Sequence, residues 1–122
     1  MDSTTRNIIV VIAVFALLKF TLGSKADKNA NIPDLLANGG ILIDVRTPGE
    51  FAGGHIKGAL NIPVSSISTG IQKTAKDKSA AIIVYCHSGA RSGSAKKNLA
   101  KAGYTNVVNA GSLHRMRRIL GQ

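Results

Sequence analysis

The chain has no tryptophan, only three phenylalanines and two tyrosines, and a single cysteine among its 122 residues. Each shortage removes a class of explanation. One cysteine allows neither an intramolecular disulfide nor a multi-cysteine metal site, so any thiol chemistry falls on Cys86 alone. With so few aromatics the core must come from Ile, Val, Leu and Ala. A basic stripe interleaved with aromatic rings is also absent, as is zinc-finger spacing, so nucleic acid is not an expected partner. Three histidines without a carboxylate cluster at ligand spacing give no reason to expect a metal or other cofactor. Acidic residues are scarce too, six against sixteen Lys and Arg, for a formal charge of +10. None follows Asp77, whereas Lys78, Arg91, Lys96, Lys97, Lys101, Arg115, Arg117 and Arg118 do. The C-terminal part therefore sits in a positive field that favours anionic substrates, acidic partners or anionic lipid headgroups.

One long apolar run is present. Ile8 to Leu18 is unbroken, and after Lys19 it resumes through Phe20 and Leu22. A bilayer span takes about 20 residues; the run over residues 8–22 is shorter and reaches that length only if Lys19 snorkels to the interface and the threonines near the start are included. A secretory signal fits the same stretch, with Arg6 as its positive region and Ser24-Lys25-Ala26 as a small-residue cleavage site. Residues 1–23 are thus expected to be a membrane anchor or signal, 24–31 a polar linker, and 32–122 the folded domain. Lys19, Lys25 and Lys28 outnumber Arg6, which favours a cytoplasmic domain; a cleaved signal would place it outside, in the periplasm of a bacterium.

Beyond the linker, helix and strand signals alternate. Pro33 and Asp34 suit a helix start that Gly39-Gly40 ends. Ile41 to Val45 reads as a strand buried on both faces. Thr47-Pro48 opens a short helix through Phe51, Ala59 to Ile62 is a brief strand, and Ser65 to Lys73 is a weak helix signal. Ala80 to Tyr85 is the strongest strand. Ser92 to Ala102 has helical periodicity, with Ala95, Leu99 and Ala102 on one face. Val107-Val108 is a last short strand and Ser112 to Leu120 a basic helix. The alternation predicts an α/β fold with a central parallel sheet flanked by helices.

Cys86 falls where such a fold keeps its ligand sites, at the C-terminal end of a strand and just before a helix. Successive amides of Cys86-His87-Ser88-Gly89-Ala90-Arg91 can form an anion-binding concavity that Gly89 and Ala90 leave unobstructed. A thiol there should ionise easily, and Arg91 adds a planar, permanently charged donor for an oxyanion. This reading requires a sulfur that solvent and substrate can reach.

The strand, cysteine loop and helix resemble the active-site unit of the rhodanese family, and flanking stretches agree. Asp44-Val45-Arg46 with Glu50-Phe51 is similar to the family's D-V-R-x-x-x-E-F/Y signature. His55-Ile56-Lys57-Gly58-Ala59 through Ile62-Pro63 resembles its G-H-I-x-G-A-x-N-I-P motif, and Gly103-Tyr104 to Gly111 its glycine-bounded ending. The likeness runs from about Ile32 to Leu113 and is greatest to small single-domain bacterial rhodaneses, including the phage-shock type. It implies a three-layer rhodanese-like domain, here preceded by the apolar N-terminal helix, and an inner-membrane location if that helix is an anchor. It further implies a sulfurtransferase in which Cys86 takes sulfane sulfur from thiosulfate or a persulfide and passes it to cyanide or a thiol. His87, Ser88, Gly89, Ala90 and Arg91 would bind the substrate, with Asp44, Arg46, Glu50 and His55 in supporting positions.

Cys86 and Arg91 enclose four residues. Related phosphatases and arsenate reductases resemble the same fold but enclose five, so they form the nearest alternative. A non-catalytic rhodanese-like binding module is another, which the presence of Cys86 argues against. One departure from the family pattern is the stretch after Gly111, where a second glycine and a Trp give way to His114, Arg115, Arg117 and Arg118. Those arginines are the expected contact for anionic lipid or an acidic protein.

Overall fold

The sequence Ile82-Ile83-Val84-Tyr85-Cys86 offers no residue suited to water on either side, and all five residues are buried. They form the central strand in a computed structural model that describes residues 25–122. In chain order the elements begin with α1 (Ile32–Ala37), β1 (Ile41–Asp44), α2 (Pro48–Ala52) and β2 (Leu60–Asn61). A single 3-10 turn, Val64–Ser66, leads into α3 (Ile67–Thr74), then β3 (Ile82–Cys86) and α4 (Ala90–Lys101). β4 (Val107–Ser112) and α5 (Leu113–Leu120) finish the chain. The sheet order is β2-β1-β3-β4 and every pairing is parallel.

A parallel sheet needs cover on both faces, and the two-residue side-chain period divides the core accordingly. Ile82, Val84 and Cys86 point into one layer with Ile67, Ile71, Ala95 and Leu99 from α3 and α4. Ile83 and Tyr85 point into the other with Ile32 of α1 and Met116 of α5. Burying each such aliphatic side chain contributes about 1.5–3 kcal/mol before entropy is charged against it. The alternation of the strands, with these two helical layers, is the expected α/β architecture.

Local capping sets the helix starts. Asn31 accepts the Asp34 amide at 3.1 Å at the head of α1. Thr47 and Glu50 form a reciprocal capping box on α2, and Ser112 accepts the Arg115 amide on α5. α4 differs: it opens at Gly89, φ +100°, with no side-chain cap. Its first amides are therefore available to whatever lies at the end of β3.

Two expectations shift. β4 runs on to Ser112 rather than stopping at Val108, because pairing with β3 carries poor strand formers along. The register moves from Val84 opposite Asn109 to Tyr85 opposite Gly111, which leaves Ala110 as a bulge. The stretch expected as a linker also carries contacts. The Asp27 amide donates to the Asn109 carbonyl at 2.8 Å, and Asn109 Nδ2 donates to the Lys25 carbonyl at 3.1 Å. An edge strand presents unpaired backbone groups, and this strap occupies those of Asn109 in β4. Residues 1–23, including the expected apolar helix, lie outside the described residues. Among the described residues no helix is long and apolar enough to cross a membrane.

Candidate active site

β3 delivers Cys86 to the end of the sheet, where it pairs with Ser112 of β4. The chain then turns through exposed His87 and Ser88 and folds back at Gly89. That turn requires a positive φ, which only glycine adopts without strain. It brings the Gly89 amide to 2.9 Å from Cys86 Sγ. Ser92, in the first turn of α4, places its hydroxyl 3.4 Å from the same sulfur. Burial alone would push the Cys86 thiol up. The Ser92 hydroxyl and the amides of Ser92, Gly89 and Ser88 outweigh it and hold the pKa below its ordinary value. The donors are thus mainly those of an uncapped helix start.

One expectation fails here. Cys86 has no exposed surface at all, whereas the sequence argument required an open sulfur. The physical reason is the turn itself: the loop closes over the side chain to aim its amides.

From sequence alone Ser92 marks only a helix start. It is fully buried, and its hydroxyl also lies 3.0 Å from the Gly89 carbonyl and 3.4 Å from that of Gly111. A hydroxyl has one proton for three neighbours. With a neutral thiol it can donate to Gly89; with a thiolate it can turn and donate to sulfur. A hydroxyl spaced six residues after the cysteine, on the sheet-facing side of α4, was the available signal.

Arg91 does not reach toward an empty anion site. Its Nη1 and Nη2 donate to Glu50 Oε1 at 2.6 Å and Oε2 at 3.0 Å, so helix α2 braces the cysteine loop. The Arg91 guanidinium, helped by the Thr47 amide, lowers the Glu50 carboxyl to about 2. Both side chains remain about a third exposed, 37% and 34%. A donor oxyanion at this rim must compete with the carboxylate for Arg91.

Asp44 and Arg46 lie at the end of the neighbouring strand and form a separate knot. Arg46 Nε lies 3.0 Å from both carboxylate oxygens of Asp44, and Nη2 donates to Oδ2 at 2.7 Å. Nη2 also donates to the Gly54 carbonyl at 2.7 Å. Asn61 Nδ2 donates to the carbonyls of Asp44 and Arg46. Tyr85, whose hydroxyl accepts the Ile56 amide at 3.0 Å, has its pKa raised to about 12, first by burial and further by Asp44. His55 stacks on Phe51 at 3.6 Å between centroids and meets the Phe51 carbonyl with Nδ1. The structure thus brings Cys86, Ser88, Gly89 and Ser92 together, attaches Glu50 through Arg91, and sets Asp44, Arg46 and His55 in supports of their own. Ala90, the first residue of α4, is exposed.

The fold, the loop length and the order of these elements match a known pattern. The profile of the rhodanese-like domain covers residues 27–113. The chain belongs to the rhodanese-like domain family. The thiosulfate sulfurtransferase PspE of Escherichia coli strain K12 is 44% identical over 71 residues, which is 58% of this chain and 68% of that protein. A sulfurtransferase of Allochromatium vinosum is 41% identical over 69 residues, 57% of this chain and 63% of its own length. Among solved structures, a rhodanese with anions from E. coli superposes with TM-score 0.61 at 41% identity, covering 62% of this chain and 89% of that one. The human single-domain sulfurtransferase TSTD1 gives 0.62 at 31% identity, covering 71% of this chain and 89% of that one. The relatives named as sulfurtransferases support a rhodanese-type sulfurtransferase, and the motif resemblance read from the sequence agrees with the family.

Proposed function

We propose that this rhodanese carries sulfane sulfur as a persulfide on Cys86. The Cys86 thiolate attacks the outer sulfur of thiosulfate, a new S–S bond forms, and the old one breaks with its electron pair leaving on sulfite. Cyanide or a thiolate then attacks the outer sulfur of the persulfide, leaves as thiocyanate or a new persulfide, and returns the thiolate. A persulfide donor enters the same cycle with its own thiolate as leaving group. The observation that carries this reading is the ring of donors aimed at one sulfur, the Gly89 amide at 2.9 Å and the Ser92 hydroxyl at 3.4 Å. Such preorganised donors stabilise both the thiolate and the persulfide anion.

Because Cys86 is closed off, the cycle includes an opening of the loop at its exposed tip, His87 and Ser88, before the donor reaches sulfur. Arg91 then exchanges Glu50 for the donor oxyanion. The competing phosphatase or arsenate-reductase reading calls for a wider loop than the four residues between Cys86 and Arg91. Mass spectrometry after thiosulfate exposure decides between them. One added sulfur on Cys86, absent in Cys86→Ser, is the expected result; phosphate release without sulfur uptake would favour the alternative.

The proposal extends to the ends of the chain. The apolar run over residues 8–22 is proposed to attach the domain to a membrane. Arg117 and Arg118, both exposed, are the proposed contact for anionic lipid or an acidic partner. Arg115 is set apart from them, since its Nη1 donates to the Ala110 carbonyl at 2.7 Å. Liposome flotation with Arg117→Ala and Arg118→Ala should show weaker binding to anionic vesicles; unchanged binding removes the lipid contact.

A further inference from the structure

Asp27 is one of six acidic residues in the chain and belongs to none of the motifs around the cysteine. Its Oδ2 accepts Lys96 Nζ at 2.7 Å and the Asn109 amide at 2.8 Å. Its own amide donates to the Asn109 carbonyl at 2.8 Å, and its carbonyl lies 3.4 Å from Arg115 Nη2. One residue therefore joins α4, β4 and α5. Protection of a sheet edge would need only the backbone bond; the carboxylate does more.

The contacts continue inward. Asn109 is fully buried, and its carboxamide donates to the Lys25 carbonyl at 3.1 Å while accepting the Gly111 amide at 3.0 Å. This fixes the two sides of the Ala110 bulge. Gly111, at φ +83°, is held between two neighbours. A Cβ placed on it would lie 3.0 Å from Ala26 Cβ, and a Cβ on Gly89 would lie 3.6 Å from Gly111 Cα. The Gly111 carbonyl is also one of the three neighbours of the Ser92 hydroxyl. Gly89 and Ser92 are the groups that meet the Cys86 sulfur. The strap, Gly111, Gly89 with Ser92, and the thiol are thus successive neighbours.

We propose that Asp27 is a positioning residue for the sulfur: by clamping residues 25–27 onto Asn109 and Lys96, it presses Gly111 against Gly89 and Ser92 and so sets the donor geometry around Cys86. The consequence for turnover rests on the sulfurtransferase reading; the consequence for the thiol does not.

The test uses the full chain and iodoacetamide as the probe. In Asp27→Ala, alkylation of Cys86 at neutral pH should slow about three- to tenfold, within the roughly two- to thirtyfold range of couplings carried through packed neighbours; faster alkylation would show that the strap merely shields the sulfur and would overturn the proposal. Its pH profile should move to higher pH, and kcat with thiosulfate should fall by a similar factor while KM changes less. Asp27→Asn keeps an oxygen for the Asn109 amide and should recover most of the rate. Wild-type alkylation and pH profile in folded Asp27→Ala overturn the proposal. Should that variant fail to fold, Ala26→Gly decides, because it removes only the methyl beneath Gly111. Alkylation slowed about twofold supports the clamp, and the wild-type rate overturns it. Alkylation needs no sulfur donor. A wild-type protein that takes up no sulfur from thiosulfate would therefore sink the transfer reading and leave the clamp standing, while unaltered alkylation in the variants would sink the clamp alone.

Discussion

β1 and β3 end side by side, with Asp44 paired to Tyr85, yet the two ends do different things. At the end of β1, Asp44 and Arg46 turn their charges on each other, at 0% and 5% side-chain exposure. Arg46 Nη2 also donates to the Gly54 carbonyl and Asp44 Oδ1 accepts the Arg46 amide, while Asn61 ties the backbone carbonyls of both residues. Both carboxylate oxygens of Asp44 are thereby spent on holding Arg46 in place. At the end of β3 the donors are amides and a hydroxyl, without a carboxylate among them, and they converge on one sulfur. A cancelled charge holds strands together, whereas donors lacking an anion of their own stabilise whatever anion arrives. The comparison separates scaffold from chemistry at neighbouring positions of one sheet.

The largest effect should come from breaking the scaffold side. Asp44→Ala leaves Arg46 buried without its carboxylate, which typically costs about 3–5 kcal/mol. That is a large part of the roughly 5–15 kcal/mol available to a domain. Urea unfolding should show the loss, and a change below about 1 kcal/mol would mean that the knot is not a structural tie.

Ser92→Ala acts on the other side of the comparison. Removing a hydrogen bond to a charged group is worth about 1.5–3 kcal/mol, so the pH at which Cys86 becomes reactive toward alkylation should rise by about one to two pH units. Folding should be affected far less than by Asp44→Ala. Equal pH profiles of alkylation in the variant and the wild type would show that the backbone amides suffice alone.

Glu50 lies between the two regions, and its effects should be the smallest. Glu50→Gln weakens the hold on Arg91, and the KM for thiosulfate should fall by up to about fivefold, the scale of an exposed ion pair. A raised KM would show that Arg91 serves only as a brace. The pair also has a pH signature. The Glu50 carboxyl is lowered to about 2 in the folded protein, against about 4.3 for an unperturbed glutamate. Its stabilising contribution is therefore fully present above the unfolded value and is lost as pH falls from there toward about 2. Thermal unfolding across that window should bring wild type and Glu50→Gln together at the acid end; a constant difference would contradict the assignment.

Much of the fold was legible because it follows from pattern. The apolar run of β3 reads as the strongest strand in the chain, and Thr47-Pro48 marks a helix start. The loop cysteine was legible from its place between strand and helix. What escaped the reading depends on tertiary pairing. Asn109, Ala110 and Gly111 have weak strand propensity and are strand only because β3 lies beside them. The Arg91–Glu50 pair joins residues 41 apart in sequence, and its geometry cannot be inferred from either residue alone. Asp27 looked like linker because its partners, Lys96 and Asn109, are far along the chain. The burial of Cys86 escaped for a similar reason: polar loop neighbours suggest exposure, but the turn at Gly89 folds them outward and the sulfur inward.

The most direct measurement is a titration of Cys86 in the intact protein, followed by the ultraviolet absorbance of the thiolate. Half-ionisation below the ordinary thiol range, and its return toward that range when Ser92 is replaced by Ala, is the result expected of a sulfur ringed by amides and a hydroxyl. A midpoint at or above about 8.5 would contradict the account at its root.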